Sequence, residues 1–146
     1  QSDLQRRERE QHSYSQEFAQ AVRAFLHFSP RYAAEQDKLA SAVTIHATPV
    51  GSGTVARTER IPIEERAAAA VIAWLRHQTT AYDDMSIPRI KGMRREVRRE
   101  LAGVSRALLD AHRSDQPHHA KSCPLCHALA QLQPDTNVNL SSNSTL

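Results

Sequence analysis

The stretch that decides the fold is EERAAAAVIAWLRHQTTAYDDM, residues 64–85. Its run of alanines, together with Val71, Ile72 and Leu75, predicts a helix at the centre of the hydrophobic core. Pro62 suits the first turn of that helix, and the glutamates that begin the stretch lie near its positive end.

Helical spacing is also clear on the N-terminal side. Four aromatic and aliphatic residues recur every three or four positions, which is typical of a helix with one buried stripe: Tyr14, Phe18, Val22 and Phe25. We expect this helix to end near Phe28, because Pro30 disfavours helical geometry at Ser29. Ser29 is then predicted to cap a second helix. That helix should bury Tyr32, Leu39 and Val43.

A further helix is predicted to be capped by Ser86, and a short one to lie within residues 123–133. Along the first of these, apolar residues follow the spacing of a helix-pairing seam: Ile90, Val97, Leu101, Val104, Leu108 and Ala111. No alternating strand pattern of useful length occurs. The sequence therefore predicts an all-α fold, a small bundle of four to five helices.

The chain has 146 residues, which suits one domain of typical size. We divide it into an N-terminal amphipathic helix (1–27), a helical domain (28–113), a Cys/His segment (114–133) and a disordered polar tail (134–146). A glycine-rich loop is expected at about 48–60. No apolar run approaches the ~20 residues of a membrane span, and no secretory signal is seen. We therefore expect a cytoplasmic protein.

Positive charge is concentrated between Ser86 and Arg113. Eight basic and three acidic residues give this segment a net charge of +5, whereas the whole chain carries +3. On a helical projection most of the basic residues share one side, which predicts binding to a polyanion such as nucleic acid. Alternatively, this side is simply solvated or pairs with acidic residues of other helices. The residues expected to bind are Lys91, Arg95, Arg98, Arg99 and Arg106.

Cys123 and Cys126 have the CxxC spacing that lets two thiolates bind one metal ion. Two further ligands are expected from nearby histidines, with His118 and His119 favoured and His112 and His127 as alternatives. Zinc is the leading hypothesis. Covalent haem attachment, a redox pair and two unliganded thiols are the other interpretations.

The end of the central helix carries polar side chains in the run RHQTTAYDDM. His77 and Asp83 can serve as a base and its orienting carboxylate, with Tyr82 or Thr80 as proton donor. The structural interpretation is favoured, in which Arg76 and Asp83 fix the helix end.

Residues 28–113 resemble the domain-of-unknown-function family 2293. The resemblance rests on the GSG loop and the RH-x-x-T-x-YD pattern, which match at Gly51, Ser52, Gly53, Val55, Arg57, Thr58, Val71, Ala73, Arg76, His77, Thr80, Tyr82 and Asp83. Thr54 and Ala56 depart from the family's usual Arg and Gly, which weakens the loop as an anion site. The resemblance implies a helical domain and a shared site, but no reaction.

Three functions follow from these patterns. The leading one is nucleic-acid binding, with Gly51, Ser52, Gly53 and Arg57 holding a phosphate, Arg76 contributing, and the basic helix following the backbone. The second is a hydrolase or transferase for a phosphorylated substrate, using His77 and Asp83. The third is an interaction module whose apolar seam pairs with a partner helix or a second copy.

Overall fold

A computed structural model describes residues 2–48 and 60–132. These residues form five α-helices and no strand: α1 (Asp3–Leu26), α2 (Ala33–Ala47), α3 (Ile63–Thr79), α4 (Met93–Arg113) and α5 (Pro124–Ala130). Short 3₁₀ turns cover Pro30–Tyr32, Tyr82–Asp84 and Ala120–Ser122. The all-α prediction is confirmed. The GSG loop and the polar tail lie outside the described residues.

The core forms where α1, α2, α3 and α5 meet. The predicted stripes supply most of it, since Phe18 and Val22 of α1, Leu39 of α2, and Val71 and Leu75 of α3 are at most 1% exposed. Trp74 and the apolar side of α5, with Leu125 and Leu129, complete the cluster. Burial of this kind contributes about 25 cal/mol for each Å² removed from water. The helix α3 is the central element of the bundle, since it contacts each of the other four helices.

Two helix starts differ from the prediction. Ser29 does not cap α2, since its hydroxyl donates to Asp115 and a 3₁₀ turn precedes the helix. α4 begins at Met93 instead of after Ser86, and Gly92 precedes it with φ of 85°. Pro88 disfavours helical geometry at Ile87. Gly92 then takes a left-handed conformation that glycine adopts without strain, so the helix begins six residues later than a cap at Ser86 predicts.

The helix α4 is buried most deeply in its C-terminal half. Every residue from Lys91 to Val104, all of them described, is exposed or partly exposed, and the first buried one is Ser105. The buried stripe consists of Ser105, Leu109 and His112. Of the predicted helix-pairing seam, Ile90 and Val104 are 61% and 57% exposed, whereas Leu108 packs against the core. The use of the seam for pairing with another helix stays a prediction.

No described helix combines the length and apolar character needed to cross a bilayer.

Candidate metal centre and basic helix surface

Two histidines and two cysteines meet where α4, the linker after it and α5 come together. This His/Cys group consists of His112 in the last turn of α4, His118 in the linker, and Cys123 and Cys126 at the start of α5. One donor atom from each residue lies within 4.8 Å of all the others, so the group can hold a metal ion. Both cysteines are free thiols.

Hydrogen bonding fixes which nitrogen of His112 is available. Its Nδ1 lies 2.8 Å from the carbonyl oxygen of Leu108, a group that only accepts, so Nδ1 carries the proton. Nε2 is then left with a lone pair, and it lies 3.6 Å from the Sγ of Cys123. A backbone carbonyl that orients the far side of the ring is a usual partner of a metal-binding histidine.

The same reasoning applies to His118. Its ring stacks on that of Tyr32, with centroids 4.7 Å apart. The Tyr32 hydroxyl donates its single proton to the carbonyl of Gln116, so it can only accept from His118 Nδ1, which lies 2.9 Å away. Nε2 of His118 is therefore also left as a free acceptor. Both imidazoles are held in the tautomer that can bind a metal through Nε2.

The thiols lie in a largely dry setting. Cys123 is 5% exposed, and its Sγ accepts a hydrogen bond from the backbone N–H of Cys126 at 3.3 Å. Burial, the bond with Cys123 and the nearby charges of Cys123 and Glu35 raise the pKa of Cys126 to about 11. Burial lowers the pKa of His112. Without a metal, the Cys126 thiol is thus protonated at pH 7, and binding a metal through this sulfur releases its proton.

The group includes His112 in place of the predicted His119. The carbonyl of His119 accepts from Ser122, and its side chain has no place in the group. His127 also lies outside it, since its Nε2 is 2.5 Å from the carbonyl oxygen of Lys121. His112, which the sequence offers as an alternative ligand, lies three residues after Leu109 on the buried face of α4.

A second candidate site is the basic surface, which we define as six exposed cationic residues on and just before α4: Lys91, Arg94, Arg95, Arg98, Arg99 and Arg106. Within the described ranges, the only ion pair that any of them makes is Arg99–Glu96 at 3.4 Å, between neighbours on the same helix. No described acidic residue from another helix neutralises this surface. Among the described residues, these cationic side chains therefore do not link α4 to other helices through ion pairs.

Arg113 belongs to the body of the protein and not to the basic surface. Its guanidinium donates to the carbonyls of Phe25 and Leu26 at the end of α1, and it pairs with Asp110 at 2.9 Å. These bonds satisfy carbonyls at a helix end and fasten the last turn of α4. Together with the neighbouring His112, they make this turn the point at which α4 is anchored.

At the end of α3, the two residues predicted as a base and its orienting carboxylate, His77 and Asp83, contact each other. His77 Nδ1 lies 2.5 Å from Asp83 Oδ1, with the side chains 41% and 58% exposed. The Tyr82 ring contacts His77 edge-on at 5.5 Å between centroids, and the guanidinium of Arg76 lies over the same ring.

Asp83 thus has His77 as its described partner, not Arg76. Thr80 donates to the Arg76 carbonyl and accepts from the backbone of Tyr82, so it shapes the turn. The predicted phosphate-binding residues Gly51, Ser52, Gly53 and Arg57 lie outside the described residues.

Comparison with known proteins identifies the class of this helical domain. The model of the family described as "Uncharacterized conserved protein (DUF2293)" matches residues 27–113. This is more than half of the chain, so the protein belongs to that family, as the GSG loop and the RH-x-x-T-x-YD pattern predicted. No curated protein and no solved structure matches the chain. Since the match ends at Arg113, only His112 of the His/Cys group lies inside it.

Proposed function

We propose that this protein is a zinc-stabilised helical module that binds nucleic acid through the basic surface. The observation that carries the proposal is that six cationic side chains of that surface are exposed, while none has a described acidic partner on another helix. Within the described ranges, Glu96 is the only carboxylate that pairs with any of these side chains, through Arg99.

The electrostatics favour an anionic partner. The pairs Arg94/Arg98 and Arg95/Arg99 are four residues apart on the helix, and each like-charge pair costs about 0.2–0.5 kcal/mol in an isolated helix. Phosphate groups relieve this repulsion and match the fork of a guanidinium. Since a phosphate backbone presents regularly spaced charges, a row of arginines on one helix can bind it whatever the base sequence.

Zinc is the metal that best fits the donor set of the His/Cys group. Two sulfur and two nitrogen donors are typical of tetrahedral structural zinc sites. Bond lengths in such sites place a sulfur and a nitrogen ligand about 3.6 Å apart, and His112 Nε2 and Cys123 Sγ are 3.6 Å apart. Four protein ligands leave no open position, so zinc would act structurally. The proposal also requires a reducing compartment such as the cytoplasm.

The nucleic-acid proposal is tested by the salt dependence of binding. We expect the full chain to bind a fluorescent oligonucleotide duplex with a log–log salt slope of about −4 to −5, given about five phosphate contacts. The variant R95E/R98E should bind at least about tenfold more weakly, because it places two negative charges on the contact surface. The control R6E/R7E makes the same charge change on exposed positions of α1. An affinity that does not change with salt concentration, or an equal loss of affinity in R95E/R98E and R6E/R7E, contradicts the proposal.

The zinc proposal is tested by elemental analysis of the purified full chain. We expect about one zinc per chain, with metal removal by a chelator lowering the melting temperature and zinc re-addition restoring it. A chain that neither contains nor takes up zinc contradicts this part of the proposal. The nucleic-acid experiment is independent of that result.

The His77–Asp83 contact favours acid–base chemistry on a phosphorylated substrate as a second candidate function. A carboxylate that orients an imidazole at hydrogen-bond distance is an arrangement used for general base catalysis. If this function is correct, the full chain hydrolyses p-nitrophenyl phosphate, H77A loses the activity and the exposed control H119A retains it. Absence of hydrolysis by the unaltered chain, or full activity in H77A, contradicts it.

A further inference from the structure

We infer that the nucleic acid is double-stranded DNA and that the N-terminal half of α4 binds in its major groove. This inference rests on the proposed nucleic-acid function and names the substrate class. It is carried by the exposed side of the N-terminal half of α4, by the spacing of its arginines and by the absence of Phe, Tyr and Trp from the sequence after Tyr82.

The N-terminal half of α4 exposes its arginine-rich side. None of the described residues from Lys91 to Val104 is buried, and the partly buried ones, which include Met93, Val97 and Leu101, lie on the side away from the arginines over about three helical turns. An α-helix with its side chains is about 10–12 Å wide, and the major groove of B-form DNA is about 12 Å wide and admits a helix. The exposed side of α4 is the one that would enter the groove.

The spacing of the arginines fits the width of that groove. Arg94 and Arg106 are twelve residues apart, which corresponds to about 18 Å along the helix axis. This exceeds the groove width of about 12 Å, so guanidiniums near the two ends can reach phosphates on opposite strands. Arg95, Arg98 and Arg99 lie between these ends and face the groove itself.

The composition of this region argues against single strands. The sequence contains no Phe, Tyr or Trp after Tyr82. Proteins that bind single-stranded DNA or RNA typically stack the bases on aromatic side chains, and α4 contains no Phe, Tyr or Trp. A-form RNA duplexes have a deep, narrow major groove that side chains cannot read. Duplex DNA therefore matches both the shape and the chemistry of α4.

The test measures fluorescence anisotropy of the full chain with three probes at the same salt concentration. The probes are a duplex DNA of about two helical turns, the duplex RNA of the same sequence and one DNA strand alone. We expect the DNA duplex to bind at least about tenfold more tightly than either of the others. R98E should reduce this preference, whereas R7E on α1 should leave it unchanged.

Competition by groove ligands tests where α4 binds. Methyl green, which occupies the major groove, should displace the protein from an A·T-containing duplex, and netropsin, which occupies the minor groove, should not. Displacement by netropsin alone, or equal binding of all three probes, overturns the inference but leaves the proposed function standing. If no probe binds, both the inference and the proposed nucleic-acid function fail.

Discussion

The Nε2 atom of His112 and the Sγ of Cys123 lie 3.6 Å apart, at the junction of the last turn of α4 and the start of α5. His112 is inside the region that matches the family, and Cys123 is outside it. A metal held between them would fasten the segment 114–132 to the family domain, next to the bonds by which Arg113 anchors α4. The His/Cys group thus lies at the C-terminal end of α4, and most of the basic surface lies toward its N-terminal end.

Adjacent histidines provide the sharpest test of the His/Cys group. Replacing His118 with Ala removes one of four ligands and should weaken zinc affinity by at least about tenfold, whereas H119A should bind zinc like the unaltered chain. Competition with a chromophoric chelator measures both affinities. Equal zinc binding by the unaltered chain and H118A, or equal loss in the two variants, would show that the group is wrongly assigned.

The anchoring of α4 predicts unequal costs for two leucines on the same helix. Leu109 is fully buried, while Leu101 is only partly buried in the half that extends from the body. We expect L109A to lower the free energy of unfolding by about 2–5 kcal/mol because it leaves a cavity, and L101A to lower it by about 1 kcal/mol. Urea unfolding followed by circular dichroism measures both. Similar costs would mean that α4 packs along its whole length.

The central helix was predictable from sequence, but the inner face of α4 was not. Around Val71 and Leu75 the apolar pattern and the buried face coincide, because these positions face the core from the middle of the bundle. On α4 the most regular apolar residues, such as Val104, are exposed, whereas Ser105 and His112 are buried. Contacts with other helices decided the buried face there, and hydrophobic periodicity does not contain that information.

The sequence also does not show which of the neighbouring histidines joins the His/Cys group. His118 and His119 are neighbours with the same chemistry, and only the stacking of His118 on Tyr32 selects one of them. Tyr32 lies 86 positions away in sequence, so spacing within the Cys/His segment could not reveal this contact.

Ser105 offers a stabilising substitution. Its side chain is fully buried, and its Oγ has no hydrogen-bond partner within the described structure. An unpaired buried hydroxyl is unfavourable, and alanine is the better helix former, so S105A should raise the free energy of unfolding by about 1 kcal/mol. Thermal unfolding of S105A and of the unaltered chain measures this difference in stability. A lower melting temperature for S105A would mean that the hydroxyl has a partner in solution.

The linker that carries His118 is attached to the body by Asp115. The hydroxyl of Ser29 donates to its carboxylate at 2.7 Å, and this bond, followed by the charge of Arg31, lowers the pKa of Asp115. Because the pKa of Asp115 is lower in the folded than in the unfolded state, its ionised form stabilises the fold at pH values above the unfolded-state pKa. This stabilisation is lost as the pH falls through the folded-state pKa. The variant S29A should therefore raise the pKa of Asp115. Carboxyl ¹³C shifts measured against pH check this, and an unchanged pKa would contradict it.

Amide chemical-shift mapping tests the central proposal most directly. Duplex DNA is added to the zinc-supplemented, ¹⁵N-labelled full chain at low salt, and the shift changes are recorded residue by residue. We predict that the largest changes fall between Lys91 and Arg106, with only small changes in α1. Changes centred on α1 or on the end of α3, or none at all, would contradict binding through the basic surface.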